Sequence, residues 1–187
     1  MSTLEYLRAV VRDIHVASIT PTSNVGVKYV CRRIDFDKRN VLVEYGPGTG
    51  VFTDYILPRV SQDSKIILIE RNREFVTLLK RKYRDPRIHV YHATADEVMP
   101  LLRDCGESYA NYILSGIPFS LFTDEYREEV VSATYNAIAP EGKFLPYQFF
   151  VQRDRQLKQY LNRYFALVES EYFLRNIPPM RIYAALK

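Results

Sequence analysis

The chain has 187 residues, 47% of them hydrophobic, seven Gly and a formal net charge of +4. That length suits one domain with a self-sufficient core, and the composition excludes disordered, fibrous and collagen-like classes. No internal repeat or low-complexity linker divides it, so residues 1–187 are expected to form a single unit, with 1–36 as a helical cap and 37–187 as the core.

Cys31 and Cys105 fall in segments that read as helical and lack metal-ligand spacing, which points to free thiols in a reducing cytosol. No apolar stretch approaches the roughly 20 residues of a membrane span. The amino terminus is interrupted by Arg8, Arg12 and Asp13 and does not read as a signal peptide, so a cytoplasmic protein is expected.

The first element is an amphipathic helix. Leu4, Leu7, Val10, Val11 and Ile14 share one face, and Glu5, Arg8, Arg12 and Asp13 the other. Two placements fit this pattern: the interface of an anionic bilayer, or a position on the domain's own sheet or over its ligand. The short β-branched run Val41-Leu42-Val43 reads as a buried strand, and Glu44-Tyr45-Gly46-Pro47-Gly48-Thr49-Gly50 turns out of it into a helix over Val51 to Leu57.

Strands are then expected at 65–69, 87–91, 109–114, 143–150, 166–174 and 181–186. Between them the spacing predicts helices at 73–83, 96–103, 123–139 and 153–163, with Pro140 and Gly142 stopping the third. In that helix Val130, Thr134 and Ile138, flanked by Val131 and Tyr135, form an apolar stripe. This alternation is that of a doubly wound α/β domain, in which ligands bind at the carboxyl ends of the strands.

Glycine at every second position lets backbone lie close against a ligand, where side chains would fill the ligand's space. Gly50 follows Gly48 by two residues rather than three, which disfavours the dinucleotide fingerprint. Glu70, ending the next strand about 20 residues past the loop, stands where such folds place a carboxylate on ribose hydroxyls. With Glu44 before the turn, these features resemble the class I S-adenosylmethionine-dependent methyltransferases, which combine an acid-x-Gly-x-Gly-x-Gly motif with an acid at the end of the second strand.

The resemblance implies S-adenosylmethionine as cofactor, S-adenosylhomocysteine as product and a seven-stranded, mostly parallel Rossmann-like sheet whose last strand runs antiparallel. It implies a cofactor set of Glu44, Tyr45, Gly46, Gly48, Gly50, Glu70, Arg71, Ala95, Asp96, Ser115 and Gly116. Asp96 matches the position of an acid against the adenine amino group, though Asp96-Glu97 also reads as a helix cap.

The loop Ser115-Gly116-Ile117-Pro118-Phe119 stands where adenine-N6 methyltransferases carry Asn or Asp, then Pro and an aromatic. Here Ser115-Gly116 replaces the amide, while Pro118-Phe119 is kept. Together with Tyr147-Gln148 and Asn176-Ile177-Pro178-Pro179-Met180, this loop is similar to that of the bacterial phospholipid N-methyltransferases, relatives of the rRNA adenine dimethyltransferases. In that family a Pro-Ser-Ser region closes over the cofactor, and Thr22 and Ser23 in Ile19-Thr20-Pro21-Thr22-Ser23 match it.

This likeness implies a peripheral membrane enzyme that methylates the amine of a phospholipid headgroup, phosphatidylethanolamine first, at an anionic surface reached through the N-terminal helix. Tyr147, Gln148 and the Ile117 and Pro118 carbonyls are the candidates for orienting or deprotonating the amine. Phe119 is the candidate aromatic wall, and the chemistry calls for no metal. RNA adenine, or another lipid or small-molecule amine, is the alternative substrate, and no protein partner is implied.

Arg71, Arg73, Lys80, Arg81, Lys82, Arg84 and Arg87 crowd one segment that nucleic acid, an anionic membrane or only solvent could meet. His15 and His89 read as structural, and His92 lies at a strand end without the character of a base.

Overall fold

The computed structural model describes residues 22–149, 157–176 and 178–187. The expected N-terminal helix, His15 and the segment before Thr22 lie outside these residues, as do Ile177 and the start of the helix expected from Arg153. Seven strands form one sheet in the order β3-β2-β1-β4-β5-β7-β6. They are β1 Val41–Tyr45, β2 Lys65–Glu70, β3 Ile88–His92, β4 Ala110–Ser115, β5 Ile138–Phe149, β6 Leu167–Phe173 and β7 Met180–Leu186. β1 to β5 pair in parallel, and β7 runs antiparallel to both β5 and β6.

Helices cover both faces, which is why β1 is buried along its whole length and reads as a continuous apolar run rather than an alternating one. On one face, Val27, Val30 and Cys31 of α1 (Asn24–Cys31), Phe52 and Ile56 of α2 (Val51–Ile56) and Leu79 of α3 (Arg73–Lys82) pack on Leu42, Ile66, Leu68 and Tyr147. On the other, α4 (Val98–Asp104), α5 (Asp124–Ala137) and α6 (Leu157–Tyr164) lay Leu102, Val130 and Leu161 on Val43, Ile67 and Phe144. Ile67, fully enclosed in this layer, would cost about 2–5 kcal/mol to truncate to Ala.

Two expectations are corrected. α5 ends at Ala137, and Ile138 already pairs with Ala110, so Pro140 and Gly142 lie inside β5 rather than in a loop after the helix. Their segment forms an irregularity in which the register moves from Ala110–Ile138 to Tyr112–Lys143 and Glu141 takes a positive φ of 63°. The cap at Asp96 is also displaced. Thr94 is the capping residue, its backbone and hydroxyl both bonding Glu97 Oε2 at 2.8 and 3.0 Å, in a 3-10 turn over Ala95–Glu97 that precedes α4.

The strand order reverses between β1 and β4, whose ends are aligned with Tyr45 opposite Ser115. In an open α/β sheet that reversal leaves a crevice at the carboxyl ends.

Candidate active site

On the β1–β2 side of the crevice, Gly46, Gly48 and Gly50 all have positive φ, at 66°, 55° and 83°. The alternating glycines are therefore a conformational requirement. A Cβ on Gly50 would collide with the Tyr83 hydroxyl, whereas one on buried Gly48 would meet nothing within 4 Å. The loop is braced from outside at Gly50 and faces open space at Gly48.

Two buried carboxylates flank this loop. Glu70 accepts the Gly48 N–H at 3.1 Å on one oxygen and the Asn72 N–H at 2.8 Å on the other. Its pKa is raised by burial, and these backbone bonds oppose the rise. Glu44 accepts the Thr53 hydroxyl at 2.7 Å. Burial, with a smaller push from the neighbouring Glu70, raises its carboxyl to about 7 against the pull of that bond.

The far end of α3 clamps the same loop. Lys82 Nζ donates to the Thr49 carbonyl at 2.9 Å and to Asp54 at 2.6 Å. The Tyr83 hydroxyl reaches the Gly50 carbonyl at 2.8 Å and Asp54 at 2.7 Å, with one proton to serve both acceptors. Neither contact has a sequence motif. Thr53 left a faint signal, as a polar residue between Phe52 and Ile56 on a buried helix face.

On the β4–β5 side, the absence of the expected amide has a steric cause. A side chain on Gly116 would collide with the Tyr147 hydroxyl, so β5 delivers a polar atom to the place where residue 116 would otherwise supply one. The Tyr147 ring stacks on Phe52 at 4.9 Å, next to the glycine turn. Ile117 Cγ2 lies 3.0 Å from where a Cβ of Gly46 would be, so the two loops meet. Ser115 is fully buried, and among the described residues its Oγ has no hydrogen-bond partner.

Other candidates are placed differently from expectation. Phe119 is enclosed by Phe122 and Phe144 at 5.5 and 6.4 Å and exposes no ring face, so it is a core residue and not an aromatic wall. The Tyr45 side chain also points into the core, its hydroxyl 3.2 Å from Thr134, which leaves only its backbone at the crevice. Gln148 is buried next to Tyr147 on the same strand, so their side chains leave opposite faces of the sheet. The Ile117 and Pro118 carbonyls each already accept a bond of 3.0 Å, from the Phe119 and Leu121 N–H groups, and each keeps one lone pair.

Thr22 is buried. Ser23 caps α1 by accepting the Gly26 N–H at 3.1 Å, and its own N–H donates to buried Asn176 at 2.9 Å, which ties the start of α1 to the turn before β7. Asp96 accepts the Tyr126 hydroxyl at 2.7 Å, and Ala95 is buried beside it. Arg71 is exposed, its carbonyl bonded by His92 at 2.9 Å.

A residue the sequence did not single out shapes the loop after β4. Arg127 of α5, 4% exposed, donates to the Phe119 carbonyl at 2.9 Å and the Phe122 carbonyl at 3.1 Å, and pairs with Asp124. A buried guanidinium in a helix rich in Glu reads as a surface ion pair until its position is known.

No family model matches the chain. It is 27% identical over 169 residues to an ornithine lipid N-methyltransferase of Singulisphaera acidiphila, covering 90% of this chain and 86% of that protein. It is also 27% identical over 100 residues to a "Probable ribosomal RNA small subunit methyltransferase A" of Thermococcus kodakarensis, covering 53% of this chain and 35% of that one. Among solved structures, precorrin-6y C5,15-methyltransferase from Geobacter metallireducens superposes with a TM-score of 0.70 at 14% identity, covering 91% of this chain and 92% of that one. The N-methyltransferase NodS from Bradyrhizobium japonicum gives 0.68 at 12% identity, covering 86% and 93%.

The chain has the class I S-adenosylmethionine-dependent methyltransferase fold. The methyltransferase crevice suits the cofactor this fold implies. Gly48 is buried yet faces open space, the loop ends beside two enclosed carboxylates, and Ser115 holds a buried oxygen with no partner among the described residues. Among the described residues no helix is long and apolar enough to cross a membrane, and no group of three or more His, Cys, Asp or Glu is arranged to hold a metal ion.

Proposed function

We propose that this methyltransferase N-methylates the amine of a lipid headgroup. The observation that carries the lipid reading is the likeness to an ornithine lipid N-methyltransferase along 90% of the chain. It makes an ornithine lipid the first substrate to test and phosphatidylethanolamine, the expectation from the sequence, the second. Glu70 would take the ribose hydroxyls, Asp96 the adenine amino group, and the Gly46–Gly50 backbone would lie against the rest of S-adenosylmethionine. When bound, that cofactor supplies an electrophilic methyl group on a sulfonium.

The chain's own residues have three tasks. They hold an amine in line with that methyl, exclude water, and favour the unprotonated amine, since only a free lone pair can attack. Tyr147 is set for the first task, because its ring is fixed on Phe52 and its hydroxyl lies over Gly116 between the two loops. The remaining lone pairs of the Ile117 and Pro118 carbonyls can accept the amine's N–H bonds. Desolvation against Ile117 favours the neutral amine.

The test is label transfer from methyl-labelled cofactor to vesicles containing ornithine lipid or phosphatidylethanolamine, with unmodified rRNA as a third substrate. Label on either lipid supports the reading, and the ratio between the two identifies the headgroup. Label on rRNA alone would replace it with the RNA adenine reading, which rests on Pro118 and the shorter likeness to the Thermococcus protein.

A further inference from the structure

Within the basic segment 71–87, the structure separates charges that serve the fold from charges that do not. Arg87 grips Asp85 through two bonds of 2.9 Å and donates to the Val60 carbonyl. Lys82 is held by Asp54 and the glycine loop. Arg71, Arg73, Lys80, Arg81 and Arg84 are exposed, and among the described residues none of the five forms an ion pair.

Arg73, Thr77, Lys80 and Arg81 recur at helical spacing on the exposed face of α3, with Glu74 the one acid at its margin, opposite buried Phe75, Val76 and Leu79. Arg73 and Arg81 lie about 12 Å apart along the axis at 1.5 Å per residue. That exceeds the screening length of physiological salt, about 8 Å, so the two ends of the face repel each other little while each can meet its own anion on an extended surface.

Local helix electrostatics account for only part of this. Lys80 and Arg81 lie in the last turn, where the helix dipole favours cations. Arg73 is in the first turn, where the dipole opposes a cation, and Arg71 lies just before it. An anionic partner would offset both penalties.

We propose that this face docks on an anionic lipid bilayer, a reading that rests on the lipid substrate above. The face carries no aromatic or large apolar side chain, so it offers no platform for stacking bases and no wedge for insertion. Point charges along a helix match a fluid anionic surface instead. The face begins at Arg71, the residue after Glu70, so a bilayer held there adjoins the end of the sheet where the headgroup must enter.

The experiment is co-sedimentation of the full chain with phosphatidylcholine vesicles, with and without phosphatidylglycerol, across a salt series. It compares wild type with Arg73→Gln/Lys80→Gln/Arg81→Gln/Arg84→Gln and with Lys38→Gln, an exposed position at the opposite end of the sheet. Wild type and Lys38→Gln should bind the anionic vesicles alike, and the quadruple variant should bind about tenfold or more weakly at low salt, converging with them at high salt.

The quadruple variant should still methylate a short-chain amine lipid below its micelle concentration at the wild-type rate. Equal vesicle binding by all three proteins, or binding of single-stranded RNA but not vesicles by wild type, overturns the proposal. Vesicle binding with no methylation of any amine would instead refute the proposed function and leave the surface standing.

Discussion

On the β1–β2 side of the crevice the candidate site consists of backbone shape and buried carboxylates, whereas on the β4–β5 side it consists of packed rings and a buried guanidinium. Gly46, Gly48 and Gly50 adopt dihedral angles that few other residues tolerate, and Glu44 and Glu70 are desolvated in place. Tyr147 owes its position to Phe52 and Gly116, and the Phe119–Phe122 turn owes its shape to Arg127. The contrast fits one side built for an invariant nucleoside and the other for a variable acceptor. It also makes a separable prediction: changes on the first side should act on cofactor affinity, and changes on the second on turnover.

The largest effect is expected at Glu70→Ala. Two ribose bonds to a charged acceptor, at about 1.5–3 kcal/mol each, correspond to a loss of at least about 100-fold in affinity. Calorimetric titration with S-adenosylhomocysteine measures it, and affinity within threefold of wild type would remove Glu70 from the cofactor site.

Glu44→Gln sharpens the same side through pH. The folded carboxyl titrates near 7 and an exposed one near 4.5, so between these values the folded chain retains a proton that the unfolded chain has released. Stability contributed by this group is therefore full below about pH 4.5 and lost as pH rises through 7, by an amount of order 3 kcal/mol. In cofactor-free protein, the variant should gain stability relative to wild type as pH goes from 5 to 8, in urea unfolding at each pH. A constant difference between the two proteins would mean that Glu44 is ionised throughout.

Tyr147→Phe tests the other side. The ring and its stacking on Phe52 remain, and only the hydroxyl over Gly116 is lost. Turnover on the lipid amine should fall about 10- to 100-fold, with S-adenosylhomocysteine affinity unchanged. Gly116→Ala should have a similar effect by displacing the same hydroxyl. A matching fall in cofactor affinity for both variants would erase the distinction between the two sides.

The same contrast explains what could be read from the amino-acid sequence. The alternation of strands and helices and the glycine turn follow from local patterns, β-branched runs, alternating glycines and carboxylates at strand ends, whereas the antiparallel last strand comes with the family resemblance. Phe119 misled because a Pro-aromatic pair looks the same whether its ring faces a substrate or the core, and burial is decided by Phe122 and Phe144, one of them far along the chain. Gly116 read as a missing amide because its cause, the Tyr147 hydroxyl, lies 31 residues away on the neighbouring strand. Arg127 is not singled out at all, since nothing in its surroundings marks it as the donor to the Phe119 and Phe122 carbonyls. Phe119 and Gly116 each needed a contact between distant residues, which no spacing rule encodes.

The smallest effect is expected at Tyr83→Phe, which asks whether the glycine turn keeps its shape unaided. The hydroxyl bonds the Gly50 carbonyl from behind the loop, out of line with the open space at Gly48, so its loss removes no contact with ligand. What remains is a carbonyl free to rotate and an Asp54 still held by Lys82. A single net hydrogen bond is worth about 1 kcal/mol, so cofactor affinity should fall about fivefold with turnover at saturating cofactor unchanged. A fall in turnover instead would show that the turn transmits strain across the Gly46–Ile117 contact to the acceptor loop, and the two sides would then work as one unit.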